Sequence, residues 1–202
     1  KAPKRRAGAR AGPKGPAPYT GPVRVKICGI TRLEDALLAE ALGAFALGFV
    51  LVPGSRRRIA PEAARAIGEA LGPFVVRVGV FRNQPPEAVL RLMEEARLQV
   101  AQLHGEEPPE WAEAVGRFYP VIKAFPLEGP ARPEWADYPA QALLLDGKRP
   151  GSGEAYPRAW AKPLLATGRR VILAGGIAPE NLEEVLALRP YALDLASGVE
   201  DA

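Results

Sequence analysis

From Val23 onward the chain alternates short runs rich in β-branched residues with longer stretches of helical period, and this alternation constrains the fold more than any other feature. The strand-like runs are VRVKIC (23–28), FALGFVL (45–51), FVVRVGVF (74–81), VAQL (100–103), VIKAF (121–125), ALLLD (142–146), VILAG (171–175) and YALDLA (191–196). Between them lie helical candidates such as RLEDALLAEALG, PEAARAIGEALG, PPEAVLRLMEEARL, PPEWAEAVGRF and PENLEEVLALR. Several open on Pro followed by Glu, which suits a helix start: Pro lacks an amide that would otherwise go unpaired there, and Glu complements the helix dipole. Repeated strand-then-helix units imply parallel strands joined by right-handed crossovers. Eight such strands predict an α/β fold closed into a (β/α)8 TIM barrel rather than an open doubly wound sheet, and no GxGxxG follows the first strand to argue for dinucleotide binding. One element is out of place: the sequence stops at SGVEDA, just after the eighth strand, so the eighth helix is expected to be missing. Tyr191, Leu193 and Leu195 would then face outward beside Val23, Val25 and Ile27 and need another cover.

Charge matters only once it is located. The formal charge of +4 hints at a polyanion partner, but six of the 27 Lys and Arg fall within residues 1–22, which hold no acid. The remainder is slightly acidic. The leading stretch, rich in Pro, Gly and Ala, has no hydrophobic period and reads as a disordered basic arm, with the barrel domain spanning 23–202. No aromatic residues interleave its bases, so a dispensable leader is preferred over a nucleic-acid contact. One Cys and one His exclude an intramolecular disulfide and a clustered metal site, no cofactor is implied, and a reducing cytoplasm is the expected location. The longest apolar run, AFALGFVLVP, is too short to span a bilayer.

In a barrel of this kind alternate side chains enter the interior, and chemistry gathers where strands end at the C-terminal face. On the first strand Val23, Val25 and Ile27 face the helices, while Lys26 and Cys28 share the interior. The Lys26 cation two residues below is expected to favour the thiolate of Cys28; the alternative is a small buried hydrophobe. ALLLDGKRPGSG ends its strand on Asp146, placed to be a partly desolvated acid with a raised pKa, or else an Asx-turn residue before glycine. Asp194 repeats the pattern on the eighth strand, sharing a face with Ala192 and Ala196. AGGIAPEN and ASGVE, after strands seven and eight, offer glycine-freed amides where such barrels commonly hold phosphate. Arg56, Arg57 and Arg58 lie on the same rim, either as a solvated charge run or as a fork for a carboxylate. His104, in QLHGEE, is an acid, a base or a hydrogen-bonded structural residue. Trp111, Trp135, Trp160 and Met93 read as packing residues on helices.

KICGIT, GFV…P.SRR, VGVF, VAQLHG, LLLD…GSG, AGGI.PEN and D..SGVE occur in this order, and together they resemble the phosphoribosylanthranilate isomerase family of tryptophan biosynthesis. The resemblance implies a phosphate-binding (β/α)8 barrel without metal or cofactor. It implies an Amadori rearrangement of N-(5-phosphoribosyl)anthranilate to 1-(2-carboxyphenylamino)-1-deoxyribulose 5-phosphate. By the same resemblance Cys28 is the general base and Asp146 the general acid, and Arg57 meets the anthranilate carboxylate. Asp194 lies where sugar hydroxyls are contacted, Lys26 and His104 complete the substrate-binding set, and Gly175, Gly176, Ser197 and Gly198 form the phosphate cradle. The expected partner is a small phosphorylated substrate, with no membrane, no nucleic acid, and a homodimer left open. Departures from the family are the absent eighth helix, the short KRPGSG loop and Ala196 in place of a residue often hydroxylated. The rivals are a ribose-phosphate isomerase of histidine synthesis, indole-glycerol-phosphate synthase, a catalytically silent ligand-binding barrel, and a nucleic-acid binder acting through the arm.

Overall fold

The computed structural model describes residues 21–148 and 155–200. The expected basic arm therefore lies almost wholly outside the described residues, as does most of the KRPGSG loop. Eight strands form a closed, all-parallel barrel in chain order: β1 (Arg24–Cys28), β2 (Ala46–Val50), β3 (Val76–Phe81), β4 (Val100–Leu103), β5 (Val121–Leu127), β6 (Ala142–Gly147), β7 (Val171–Leu173) and β8 (Ala192–Leu195). The barrel closes where β8 pairs with β1, with Lys26 in register with Asp194. The helices are α1 (Leu33–Ala41), α2 (Pro61–Ala70), α3 (Pro86–Glu95), α4 (Pro109–Gly116), α5 (Lys162–Leu165) and α6 (Leu182–Ala187). As the sequence suggests, α2, α3 and α4 each begin at proline.

Two departures have local causes. Between β5 and β6 the chain makes only a 3-10 turn, Pro133–Asp137. Trp135 on that turn lies flat against Phe125 at 4.5 Å, and Tyr138 meets the same ring edge-on, so aromatic stacking covers the strand in place of an α-helix. Trp160 likewise sits on a 3-10 turn, Arg158–Ala161, whereas Met93 is fully buried on α3. At β3 the strand starts at Val76, leaving Phe74 91% exposed ahead of it.

Alternation along the strands divides the core in two. Leu47, Phe49, Phe81, Leu103, Leu143, Leu145, Leu173 and Leu193 pack outward against the helices. Ala46, Val78, Ile122, Ala124, Leu144, Ile172 and Ala192 fill the barrel itself. The three leucines before Asp146 are completely buried, Leu144 inside and its neighbours outside, each contributing about 1.5–3 kcal/mol. Leu195 joins Leu193 in the outer layer as expected. Tyr191 does not: it precedes β8, packs beneath the barrel interior, and carries the guanidiniums of Arg24 and Arg170 against its ring. After β8 a 3-10 turn, Ser197–Val199, follows. Above the apolar layers, toward the C-terminal ends, the interior turns polar, with Lys26, Gln102, Asp146 and Asp194 all buried.

Candidate active site

A cavity of about 590 Å³ opens at the C-terminal ends of the strands, and Cys28, Arg57, His104, Asp146 and Asp194 all line it. Cys28 ends β1. Gly29 then turns the chain with φ 91°, and the amides of Gly29 and Ile30 both donate to Gly48 O at 2.9 and 3.0 Å. Gly48 makes room for the thiol: a Cβ there would lie 2.8 Å from Cys28 Sγ and 3.0 Å from Lys26 Nζ. Gly48 opens the GFV motif, but nothing in the sequence shows that it faces the thiol, because the close approach comes from the neighbouring strand.

Lys26 lies beneath Cys28 rather than on the cavity wall, and its Nζ donates to Asp194 Oδ1 at 2.7 Å. Burial works against the ammonium, but the charge and hydrogen bond of Asp194, with Cys28 adding to them, outweigh it and push Lys26 up to about 12. Burial also pushes the Asp194 carboxyl above its ordinary range despite Lys26. The expected thiolate is corrected here. Burial raises the Cys28 thiol above its usual value, with Asp194 and Asp146 adding to the rise, and Lys26 opposes this only in part because Asp194 already answers its charge.

Asp146 is the last interior residue of β6 and 7% exposed. Its Oδ1 accepts from the Gly147 amide at 2.7 Å, so the turn-forming role and the cavity position coexist. Its Oδ2 lies 3.2 Å from His104 Nε2, and Gln102 Nε2 lies 3.0 Å from the other ring nitrogen. Of the three consecutive arginines, Arg57 is the one drawn inward. Its Nε and Nη2 meet the two carboxylate oxygens of Glu200 at 2.5 and 2.7 Å, a bidentate pair, while Arg56 reaches Glu200 at 3.6 Å. Hydrogen bonding to Arg57 holds the Glu200 carboxyl below its usual range. In the sequence SGVE stands out as a motif with Ser197 and Gly198 as its phosphate residues, and nothing there assigns the Glu200 carboxylate a partner.

The loops after β7 and β8 form another part of the wall, with Gly175, Gly176, Ser197 and Gly198 all on it. Gly175 and Gly176 take φ of 76° and 57°, values that favour glycine. The loop is tied from behind: Arg158 donates to Ala174 O and Gly175 O at 3.3 and 2.7 Å, and Asn181 Nδ2 to Gly176 O at 2.6 Å. Arg158 carries no signal in the sequence. Gly198 brings the two loops together, since a Cβ there would lie 2.0 Å from Ile177 O. Carbonyls fixed on the outside and small residues on the inside leave a concave wall of backbone suited to an oxyanion. Among the described residues no His, Cys, Asp and Glu group is arranged to hold a metal ion, and no helix is long and apolar enough to cross a membrane.

The family model described as N-(5'-phosphoribosyl)anthranilate (PRA) isomerase matches residues 25–202. The N-(5'-phosphoribosyl)anthranilate isomerase of Thermotoga maritima is 45% identical over 183 residues, 88% of this chain and 89% of the relative. The crystal structure of phosphoribosyl anthranilate isomerase from Thermus thermophilus is 97% identical, with a TM-score of 0.89 over 89% of this chain and 90% of that one. A phosphoribosyl anthranilate isomerase solved in complex with reduced 1-(o-carboxyphenylamino)-1-deoxyribulose 5-phosphate is 40% identical, with a TM-score of 0.77 over 89% of this chain and 90% of the other.

Proposed function

The chain belongs to the N-(5'-phosphoribosyl)anthranilate isomerase family of tryptophan biosynthesis, and from that premise we propose that Cys28 and Asp146 carry out its aldose-to-ketose rearrangement as base and acid. The observation that carries this reading is that Cys28 from β1 and Asp146 from β6 line one cavity whose wall also includes the glycine-rich pair of loops after β7 and β8. Those loops hold the substrate phosphate by backbone amides, including those of Gly175, Gly176, Ser197 and Gly198. Arg57 receives the anthranilate carboxylate in exchange for Glu200, and Asp194 offers its carboxylate to the sugar hydroxyls.

Asp146 gives its proton to the furanose ring oxygen as the C1–O bond breaks, and the nitrogen lone pair forms the C1=N iminium. Cys28 removes the proton from C2, and the electrons released form C1=C2 and neutralise the nitrogen. The enolamine then tautomerises, C2–OH becoming C2=O as C1 takes up a proton. Burial disfavours the thiolate at rest, so the charge of the iminium matters twice. It acidifies C2–H, and as a cation beside Cys28 it favours the ionised sulfur, whose thiol proton leaves to solvent in the cavity before C2–H is attacked. Acid and base act at different atoms, so Cys28→Ser and Asp146→Asn should each lower kcat by roughly 10²-fold or more, with product-analogue binding retained. Arg57→Ala should chiefly raise KM. Loss of the fluorescent substrate followed in the presence of chelator measures all three, and full turnover by either catalytic variant overturns the assignment.

A further inference from the structure

Gln102 is wholly buried, 0% exposed, on the interior face of β4, and is absent from the cavity wall. It cannot touch substrate. Its Nε2 lies 3.0 Å from His104 Nδ1. An amide nitrogen donates and cannot accept, so Nδ1 is the acceptor and the ring proton resides on Nε2. That nitrogen is 3.2 Å from Asp146 Oδ2, close but not aligned as a hydrogen bond, and it has no other partner. The arrangement has a cost: Gln102 Oε1 is buried with no hydrogen-bond partner. A leucine here would avoid that cost, so the donor facing His104 is what the residue supplies.

The backbone around His104 is fixed as well. Its amide donates to Phe81 O at 2.8 Å. The next amide, Gly105, donates to both oxygens of Glu107 at 3.0 and 2.9 Å, and Lys123 Nζ holds Gly105 O at 2.5 Å and Glu107 Oε2 at 2.6 Å. The imidazole is thus set in place from the main chain and in tautomer from Gln102.

We propose that Gln102 is a positioning residue of the isomerase, holding His104 as the Nε2–H tautomer so that this N–H stabilises the Asp146 carboxylate as it forms. A buried donor without a partner, 3.2 Å from the developing charge, needs only to come into line when Asp146 releases its proton. The inference rests on Asp146 being the general acid, and the experiment separates the two.

His104 is the single histidine in the chain, so a two-bond 15N–1H correlation spectrum of the whole protein reads its tautomer alone. The expected result for the unaltered protein at neutral pH is proton on Nε2; a ring protonated on Nδ1 alone would overturn the proposal whatever the variants do. Gln102→Met keeps the length and removes the donor. It should give a mixture of tautomers and lower kcat about ten-fold, below the effect of removing a preset donor outright, with KM within about two-fold. Combined with Asp146→Asn, the same change should cost nothing further in kcat. Undiminished kcat in Gln102→Met, or a full further ten-fold loss when it is added to Asp146→Asn, would sink the positioning role. Full activity of Asp146→Asn alone would instead sink the acid assignment and leave the tautomer result standing.

Discussion

Replacing Lys26 by Met tests the polar centre of the barrel most directly. The side chain is near in length but carries no charge, and it leaves the Asp194 carboxylate, 8% exposed, without the ammonium 2.7 Å away. Removing one partner of a buried pair costs roughly 3–5 kcal/mol, a large share of the 5–15 kcal/mol that stabilises a typical domain. The deficit must depend on pH in a definite sense. Burial already raises the folded-state pKa of Asp194 above its ordinary 3.8, and loss of Lys26 raises it further. A raised folded pKa gives stability that is complete below the unfolded value and lost as pH rises through the folded one. Lys26→Met should therefore lie closest to the parent in acid and show its full deficit near neutrality. Lys26→Met with Asp194→Leu should regain most of it, since two apolar groups need no partner. Urea unfolding at several pH values measures this. A second readout comes from Cys28, the chain's single cysteine. Lys26 lowers its pKa, so without Lys26 the midpoint of its alkylation by iodoacetamide should move to higher pH. A single variant within about 1 kcal/mol of the parent at neutral pH, or a double variant no more stable than the single, would refute the reasoning.

Glu107→Gln leaves Lys123 buried beside a neutral amide and should cost roughly 3–5 kcal/mol in urea unfolding, with Lys123→Met recovering part of it in the double variant. Gly198→Ala drives a methyl into Ile177 O and parts the two phosphate-side loops. It should weaken phosphorylated product-analogue binding about ten-fold or more by calorimetry, as expected for losing a hydrogen bond to a charged group, and unchanged affinity would remove Gly198 from the cradle.

Much of this site is legible in the linear chain, and the reason is local. Period-two alternation puts Lys26, Cys28, Asp146 and Asp194 on interior faces, and all four lie there. Prolines at helix starts and glycines after β7 act through their own backbone, so α2, α3, α4 and the loop at Gly175 and Gly176 are legible in the same way. The aromatic cover over β5 is not, because Phe125, Trp135 and Tyr138 come together only in space.

What the sequence by itself determined about this protein is therefore its eight parallel strands and the polar residues Cys28, His104, Asp146 and Asp194 toward the mouth ends of β1, β4, β6 and β8. Only the tertiary structure decided what those residues meet. Barrel closure brings Lys26 to Asp194 across 168 positions and Arg57 to Glu200 across 143, and lays Gly48 against the Cys28 sulfur. The ionisation of Cys28 turned on that closure. Proximity of Lys26 in sequence predicts a stabilised thiolate, but the free energy of a charge depends on its depth and on every other charge within a few ångströms, and a linear chain specifies neither until it is folded.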